Sequence, residues 1–416
     1  MSERLRDRIA RQAGVALLER IGHGRLTLTE ANRSWEFGPC PNEIAARVEV
    51  RDPRAWSMLL RGSTGFAYGF VEGLWDTDDP VAVVRLAARS MAGLDRLRRH
   101  WHPLLGRAQR LAGFVPRNTR DGARANIAAH YDLGNELFAA FLDERLMYSS
   151  AYFPHPGASL DDAQRTKLDR ICSRLELDAG DHLLEIGTGW GGLAIHAAAE
   201  RGCRVTTTTI SREQREYAMA RVRELGLADR VTVLGRDYRD LSGRFDKLVS
   251  VEMIEAVGWQ YFETFFRKCS ELLDPAGLML LQAIVIKDAN YEIEKASKSF
   301  TNTEVFPGGC LPSQRLIGDL VASETDMTPT WTEDITDHYA ETLRLWRERF
   351  NAAFPKLAPL GYDERFRRLW NFYLAFSEAG FRERRIRDLQ MMFAKPGAGV
   401  ARAVAPAAEP ALVSSS

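Results

Sequence analysis

HLLEIGTGWGGLAIHAAAERG, residues 182–202, reads as a short apolar strand, a glycine-rich turn and a helix, and it sets the pattern for the next hundred residues. Strand-like and helix-like stretches alternate after it. CRVTTTTI is followed by SREQREYAMARVRELG, RVTVLGRDY and KLVSVEM read as strands, and YFETFFRKCSELLDPAG precedes LMLLQAIVI. Such alternation predicts an α/β fold with a parallel sheet covered on both faces. In sheets of that kind ligands bind outside the carboxyl ends of the strands. The motifs that carry chemistry fall there.

In Glu185-Ile-Gly187-Thr-Gly189-Trp-Gly191-Gly192, glycines let a ligand approach the backbone, and the helix start behind them favours negative charge. Gly187, Gly189 and Gly192 also fit the G-x-G-x-x-G spacing of dinucleotide sites. Those sites want an acid at the end of the second strand for the ribose, whereas this one ends in Thr206 to Thr209. An acid just before Ile-Gly, together with Asp237-Tyr238 after the third strand, favours S-adenosylmethionine instead. Asp237 enters on position alone.

VSVEMIEAVGW begins as a buried strand and then carries Glu252 and Glu255. A carboxylate at a strand end over a pocket is costly unless it is used, which marks Glu255 as functional. Glu252 either lies near the cofactor or pairs with a nearby arginine. The five cysteines show no C-x-x-C or His-rich spacing, so neither a disulfide framework nor a zinc site is expected. Cys310 in FPGGCLPS reads as a small core residue rather than a nucleophile.

The chain of 416 residues exceeds the usual size of one core, so a smaller domain beside the sheet is expected. Residues 1–115 form it, with an amphipathic segment (Leu5, Ile9, Leu17, Leu18, Ile21) and strand-like GRLTLTE and ARVEVRD giving an α+β character. Segment 89–124 holds nine arginines and no lysine, with Leu94, Leu97, Trp101, Leu104 and Leu105 at helical spacing between them. It is either a stripe for an anionic membrane surface, through Arg96, Arg98, Arg99, Arg107 and Arg110, or a solvated linker helix. Residues 116–395 form the main domain, and the Ala/Pro/Ser-rich tail 396–416 is expected to be disordered. A formal net charge of zero gives no reason to expect nucleic acid. With no run long enough to span a membrane and a polar N-terminus, the chain is expected in the cytoplasm.

From about Gly65 to Phe393 the sequence resembles the cyclopropane fatty acid synthase family of S-adenosylmethionine-dependent lipid methyltransferases. The matching pieces are GFVEGLWDTDD, HYDLGNELFAAFLDERLMYSSAYF, LEIGTGWGG, TISREQ, SVEMIEAVG, FPGGCLPS and HYAETLRLW. The resemblance implies a class I methyltransferase domain of Rossmann-like fold and an N-terminal domain that engages lipid. It implies as substrate a cis-unsaturated acyl chain in a membrane phospholipid, reached from the inner face of the membrane. A homodimer is also implied. For the cofactor it points to Tyr148, Ser149, Gly187, Gly189, Thr209, Ile210, Gln214 and Tyr238. Read singly, Ser149 and Ser150 would cap a helix and Gln214 would be a solvated helix residue. His130 either shapes a lid over the cofactor or is structural.

Methyl transfer to an isolated alkene leaves a carbocation, and a base facing a dry apolar tunnel must then remove a proton. In the family that base is a bound bicarbonate, held by a glutamate, a histidine, a tyrosine and backbone groups near a cysteine and an isoleucine. The resemblance carries these roles to Glu255, Tyr339 and Ile284, with Ser150 standing at the cysteine position and Gln282 at the histidine position. Tyr339 read singly is an interfacial aromatic. Serine and glutamine still offer hydrogen bonds, yet they put the site of proton loss in question. The expected product is a cyclopropane. The alternatives are a methylene- or methyl-branched chain, the latter with a partner reductase, or methylation of a soluble small molecule. A non-catalytic lipid-binding protein is a further class.

Overall fold

The computed structural model describes residues 3–39, 44–90, 122, 133–295, 297 and 299–399. Arg96, Arg98, Arg99, Arg107 and Arg110, the 115/116 domain boundary, His130 and the tail from residue 400 lie outside them.

Two sheets organise these residues. The first has four strands in the order β2 (Arg33–Phe37), β1 (Arg25–Glu30), β3 (Ala45–Val50), β4 (Trp75–Asp76). In β3 every second residue is buried, so Ala46, Val48 and Val50 share one apolar face. The helices Glu3–Leu18, Arg54–Leu59 and Gly62–Val71 accompany this sheet.

The second sheet has seven strands in the order β10 (Thr328–Asp334), β11 (Ile386–Ala394), β9 (Leu273–Ile286), β8 (Phe245–Val251), β5 (His182–Ile186), β6 (Arg204–Thr208), β7 (Val231–Leu234). Its central strands are largely buried because helices cover both faces; β5 is buried from Leu183 to Ile186. The parallel reading holds for β5 to β9, but β11 runs antiparallel to both β9 and β10. Two helices, Thr336–Leu357 and Glu364–Arg382, link β10 to β11 and pack antiparallel, with Tyr339 against Phe381 and Asn351 bonded to Asn371, so the chain returns to the end it left and β11 runs back along β10.

The chain proceeds from β5 outward through β6 and β7, then returns to β8 on the other side of β5. That reversal makes the carboxyl ends of β5 and β8 the switch point of the sheet, where a crevice opens. The first sheet is fixed near this region by the helix Glu364–Arg382. Arg368 donates from Nε to the Phe70 carbonyl at 2.7 Å. Glu383, just after the helix, takes Arg85 and Arg89, each at 2.7 Å. Beneath these ion pairs one apolar cluster runs without interruption from Leu28, Val48 and Trp56 to Phe372 and Tyr373. Among the described residues no helix is long and apolar enough to cross a membrane.

Candidate active site

The turn after β5 shapes one wall of the crevice. Gly187 sits at φ +107, a conformation that side-chain-bearing residues rarely adopt, and a Cβ there would lie 3.2 Å from Met253. At Gly192 a Cβ would fall 2.5 Å from the Met147 sulfur and 2.7 Å from the Arg145 carbonyl, so the segment before Tyr148 closes down on the helix start only because that position is bare. The result is a cavity of about 160 Å³ lined by Tyr148, Ser149, Gly187, Gly189, Thr209 and Ile210, with Gln214, Asp237 and Tyr238 completing it. All nine residues assigned to the cofactor from sequence are thus brought together. Thr209 donates to Gln214 Oε1 at 3.0 Å, fixing both on the wall. Asp237 is paired with Arg239 at 2.6 Å. The Tyr238 hydroxyl is buried and has no partner among the described residues. A buried orphan hydroxyl beside glycine turns in a polar cavity fits a nucleoside ligand.

A second cavity, of about 790 Å³, adjoins the first. Its walls come from both sheets: Leu28, Val48 and Trp56 on one side, Ile284, Phe306 and Phe381 on the other. Three residues line both cavities: Tyr148, Glu252 and Ala256.

Glu252 is the hub of the junction. Its Oε1 accepts from the Ser150 backbone N–H and from Gln282 Nε2, each at 2.8 Å, and its Oε2 accepts from the Tyr339 hydroxyl at 2.5 Å. Its φ is +47, strained for a glutamate, and its N–H donates to the Gln282 carbonyl at 2.8 Å. Gln282 is oriented from behind: Gln390 donates to its Oε1 at 3.0 Å, and its Nε2 also donates to Asp388 at 3.0 Å. Glu255 stands apart. Its Oε1 accepts from the Ile284 N–H at 2.5 Å, while its Oε2 is buried without a partner.

Both glutamates retain some accessible surface because they line cavities, but protein encloses them and desolvation dominates. Burial, reinforced by the Glu252 charge, pushes Glu255 up to about 8. Burial raises Glu252 as well, opposed by the Tyr339 hydrogen bond, the Lys167 charge and the Ser150 and Gln282 donors. Asp388 is raised well above the carboxylate range by burial and by the charges of Glu252 and Glu255. Lys167 is fully buried and donates to Ser149 Oγ at 2.7 Å. Burial lowers it to about 8, against the pull of Glu252, Asp143 and Asp388. With three donors aimed at it and the Lys167 charge acting on it, Glu252 is the better placed of the two glutamates to carry negative charge, whereas burial holds Glu255 in its neutral form near pH 7.

Of the residues assigned to an anion site from sequence, Tyr339 and Glu255 line the large cavity with Ile284, whereas Ser150 and Gln282 line neither cavity. The Ser150 hydroxyl donates to the Ala151 carbonyl at 3.0 Å, so this residue reaches the junction only through its backbone N–H. Gln282, Tyr339 and the Ser150 N–H all turn to Glu252, and the Ile284 N–H turns to Glu255. These residues do not fit bicarbonate: its donors are taken by side chains of the chain itself, and two glutamates already face the space. Cys310 lines the large cavity, and burial pushes its thiol up to about 12, as an unreactive thiol. Among the described residues no group of acids, cysteines and histidines could hold a metal.

Sequence reading missed Lys167 and Asp388 and left Glu252 open. A signal for Lys167 was available, since Gln164, Lys167, Leu168 and Ile171 fall on one face of the helix Leu160–Arg174 and place two polar residues at core positions.

The family model described as mycolic acid cyclopropane synthetase matches residues 118–391. The tuberculostearic acid methyltransferase of Mycobacterium tuberculosis is 40% identical over 351 residues, 80% of this chain and 81% of that protein. The cyclopropane-fatty-acyl-phospholipid synthase of Escherichia coli K12 is 36% identical over 354 residues, 84% of this chain and 88% of that protein. Among solved structures, a Mycobacterium tuberculosis cyclopropane synthase aligns with a TM-score of 0.61 at 28% identity, over 65% of this chain and 98% of its own. A mycolic acid cyclopropane synthase solved with SAH and CTAB gives the same TM-score at 29% identity, with the same coverage.

Proposed function

The chain belongs to the mycolic acid cyclopropane synthetase family of S-adenosylmethionine-dependent methyltransferases, and from that premise we propose that it methylates the cis double bond of unsaturated acyl chains in membrane phospholipids, forming a cyclopropane. Its class I methyltransferase fold is the one that the sequence resemblance implies. The observation that carries the proposal is the junction: a small polar cavity meets a large apolar one at Tyr148, Glu252 and Ala256. A volume of about 790 Å³ lies within the range of small-molecule sites and suits a long chain better than a small polar nucleophile.

Tyr148, Ser149, Gly187, Gly189, Thr209, Ile210, Gln214, Asp237 and Tyr238 would hold S-adenosylmethionine. When bound, it would supply a sulfonium methyl group to one alkene carbon, the π pair forming the new bond and the S–C pair remaining on sulfur, which would leave the other alkene carbon cationic. The walls then protect that cation. Apolar side chains exclude water that would trap it, and the rings of Tyr148, Tyr339, Phe306 and Tyr373, which line the large cavity, stabilise positive charge. Stacking of Tyr339 on Phe381, 4.3 Å between centroids, and the 3.0 Å hydrogen bond between Tyr148 and Tyr373 hold two of these rings in place.

Incubation with methyl-labelled S-adenosylmethionine and oleoyl phospholipid vesicles is expected to put label into the acyl chain, read by mass spectrometry, with ring protons visible by NMR. Label confined to soluble acceptors would overturn the lipid reading. Olefinic signals in place of ring protons would favour the branched-chain alternative, which the similarity to a tuberculostearic acid methyltransferase supports.

Gly187→Ala tests the cofactor cavity. Its positive φ would impose strain of about 1–3 kcal/mol on any side-chain-bearing residue. Calorimetry is expected to show S-adenosylmethionine binding weakened roughly tenfold or more; unchanged affinity would place the cofactor elsewhere.

A further inference from the structure

We propose that the carboxylate of Glu252 is itself the base that takes the proton released after methyl transfer, so that this chain carries its catalytic anion covalently. The proposal rests on the lipid reading above.

Position comes first. Any base for this reaction must face the acyl chain within reach of the transferred methyl group, so it must stand where the cofactor cavity meets the apolar one. Glu252 is the acid that lines both. Glu255 lines only the apolar cavity, and burial keeps it protonated near neutral pH. Restraint comes next. The Ser150 N–H, the Gln282 amide and the Tyr339 hydroxyl fix both oxygens of Glu252, and their side chains and backbone come from separate parts of the chain. A glutamate at φ +47 is held in that conformation against strain, as recurs at functional sites.

Basicity is no obstacle. Burial raises Glu252 on balance against the pull of its three hydrogen bonds, and a C–H beside a carbocation is so acidic that any well-placed carboxylate accepts its proton. Placement alone decides the outcome. Glu252 takes the proton from the transferred methyl, and the freed C–H pair closes the ring; taken from a neighbouring carbon, the same pair would form a double bond. The proton stays on the Glu252 carboxyl until product leaves, and then passes to water through the opened cofactor cavity. Lys167, whose charge acts on Glu252, favours the return to carboxylate.

Glycine suits the backbone of position 252, so Glu252→Gly preserves the fold while emptying the anion position. Wild-type product formation is expected to be unchanged when carbon dioxide and bicarbonate are stripped from the buffer. Glu252→Gln and Glu252→Gly are expected to lose about 10²- to 10⁴-fold in rate. Formate or bicarbonate should restore Glu252→Gly and leave Glu252→Gln unaffected. A readout without turnover accompanies this: carbon-13 NMR of labelled bicarbonate should show binding to Glu252→Gly and none to the wild type. Wild-type product formation that requires bicarbonate, or a Glu252→Gly variant active without added anion, overturns the proposal alone. Absence of any lipid product from the wild type overturns the lipid reading and this proposal with it.

Discussion

Lys167→Met is expected to destabilise the folded chain by about 3–5 kcal/mol, the cost of leaving buried acids without their counter-charge. Lys167 is fully buried on the helix Leu160–Arg174. Glu252, Asp143 and Asp388 all act on it electrostatically, and methionine fills its volume without its charge. Denaturation of the two proteins at equal pH reads the difference. Ser149→Ala is the control: it removes the 2.7 Å hydrogen bond to Lys167 but keeps the ammonium, and should cost only about 1 kcal/mol. Equal losses for the two variants would mean that the hydrogen bond, and not the charge, is what Lys167 contributes.

The pH profile adds a second check. Without the lysine, Glu252 and Asp388 are pushed further up, so the variant takes up more protons on folding than the wild type does. Its deficit therefore grows as pH rises into the neutral range. Above about 8 the folded wild type releases the lysine proton that its unfolded chain still holds, so wild-type stability rises and the deficit should widen further.

That Lys167 escaped the sequence reading while the nine residues assigned to the cofactor line one cavity has a physical reason. Cofactor residues sit on turns whose chemistry is local: Gly187 and Gly189 are required by backbone conformation within one loop, and Thr209 and Gln214 by one strand end and the helix turn after it. The acid cluster is assembled from Ser150, Lys167, Glu252, Gln282, Tyr339 and Asp388, which are scattered over some two hundred residues and meet only when β8, β9 and β11 pair. Alternation of strands and helices in 182–286 likewise announced the parallel part of the sheet. The antiparallel β11 follows from the helix pair Thr336–Leu357 and Glu364–Arg382, which returns the chain to the end of the sheet it left, a feature of tertiary assembly. Family resemblance named Glu255 and Tyr339 but gave no sign that the Tyr339 hydroxyl would turn to Glu252. That depends on a side-chain direction set by one positive φ.

Stability of the wild type is expected to fall as pH rises from about 5 to 8, and Glu255→Gln should flatten that fall. In the folded chain Glu255 titrates at about 8, against an ordinary value of 4.5. Between those values the folded state holds a proton that the unfolded state has lost. Stability is therefore fully present below the unfolded value and drains away as pH climbs through the folded one. One proton corresponds to about 1.4 kcal/mol per pH unit, so the window amounts to roughly 4 kcal/mol. Glutamine keeps an oxygen to accept from the Ile284 N–H and removes the titration. The other groups of the cluster do not blur the comparison: Glu252 and Asp388, also raised, remain in both proteins, and Lys167, lowered to about 8, acts with opposite sign only above that pH. Denaturation free energies at half-unit steps should give a steeper slope for the wild type, by nearly one proton between pH 5.5 and 7.5. Parallel curves would mean that Glu255 is ionised beside Glu252 at neutral pH. Two charges would then face the acyl cavity, and the division of labour between an anionic Glu252 and a neutral Glu255 could not hold.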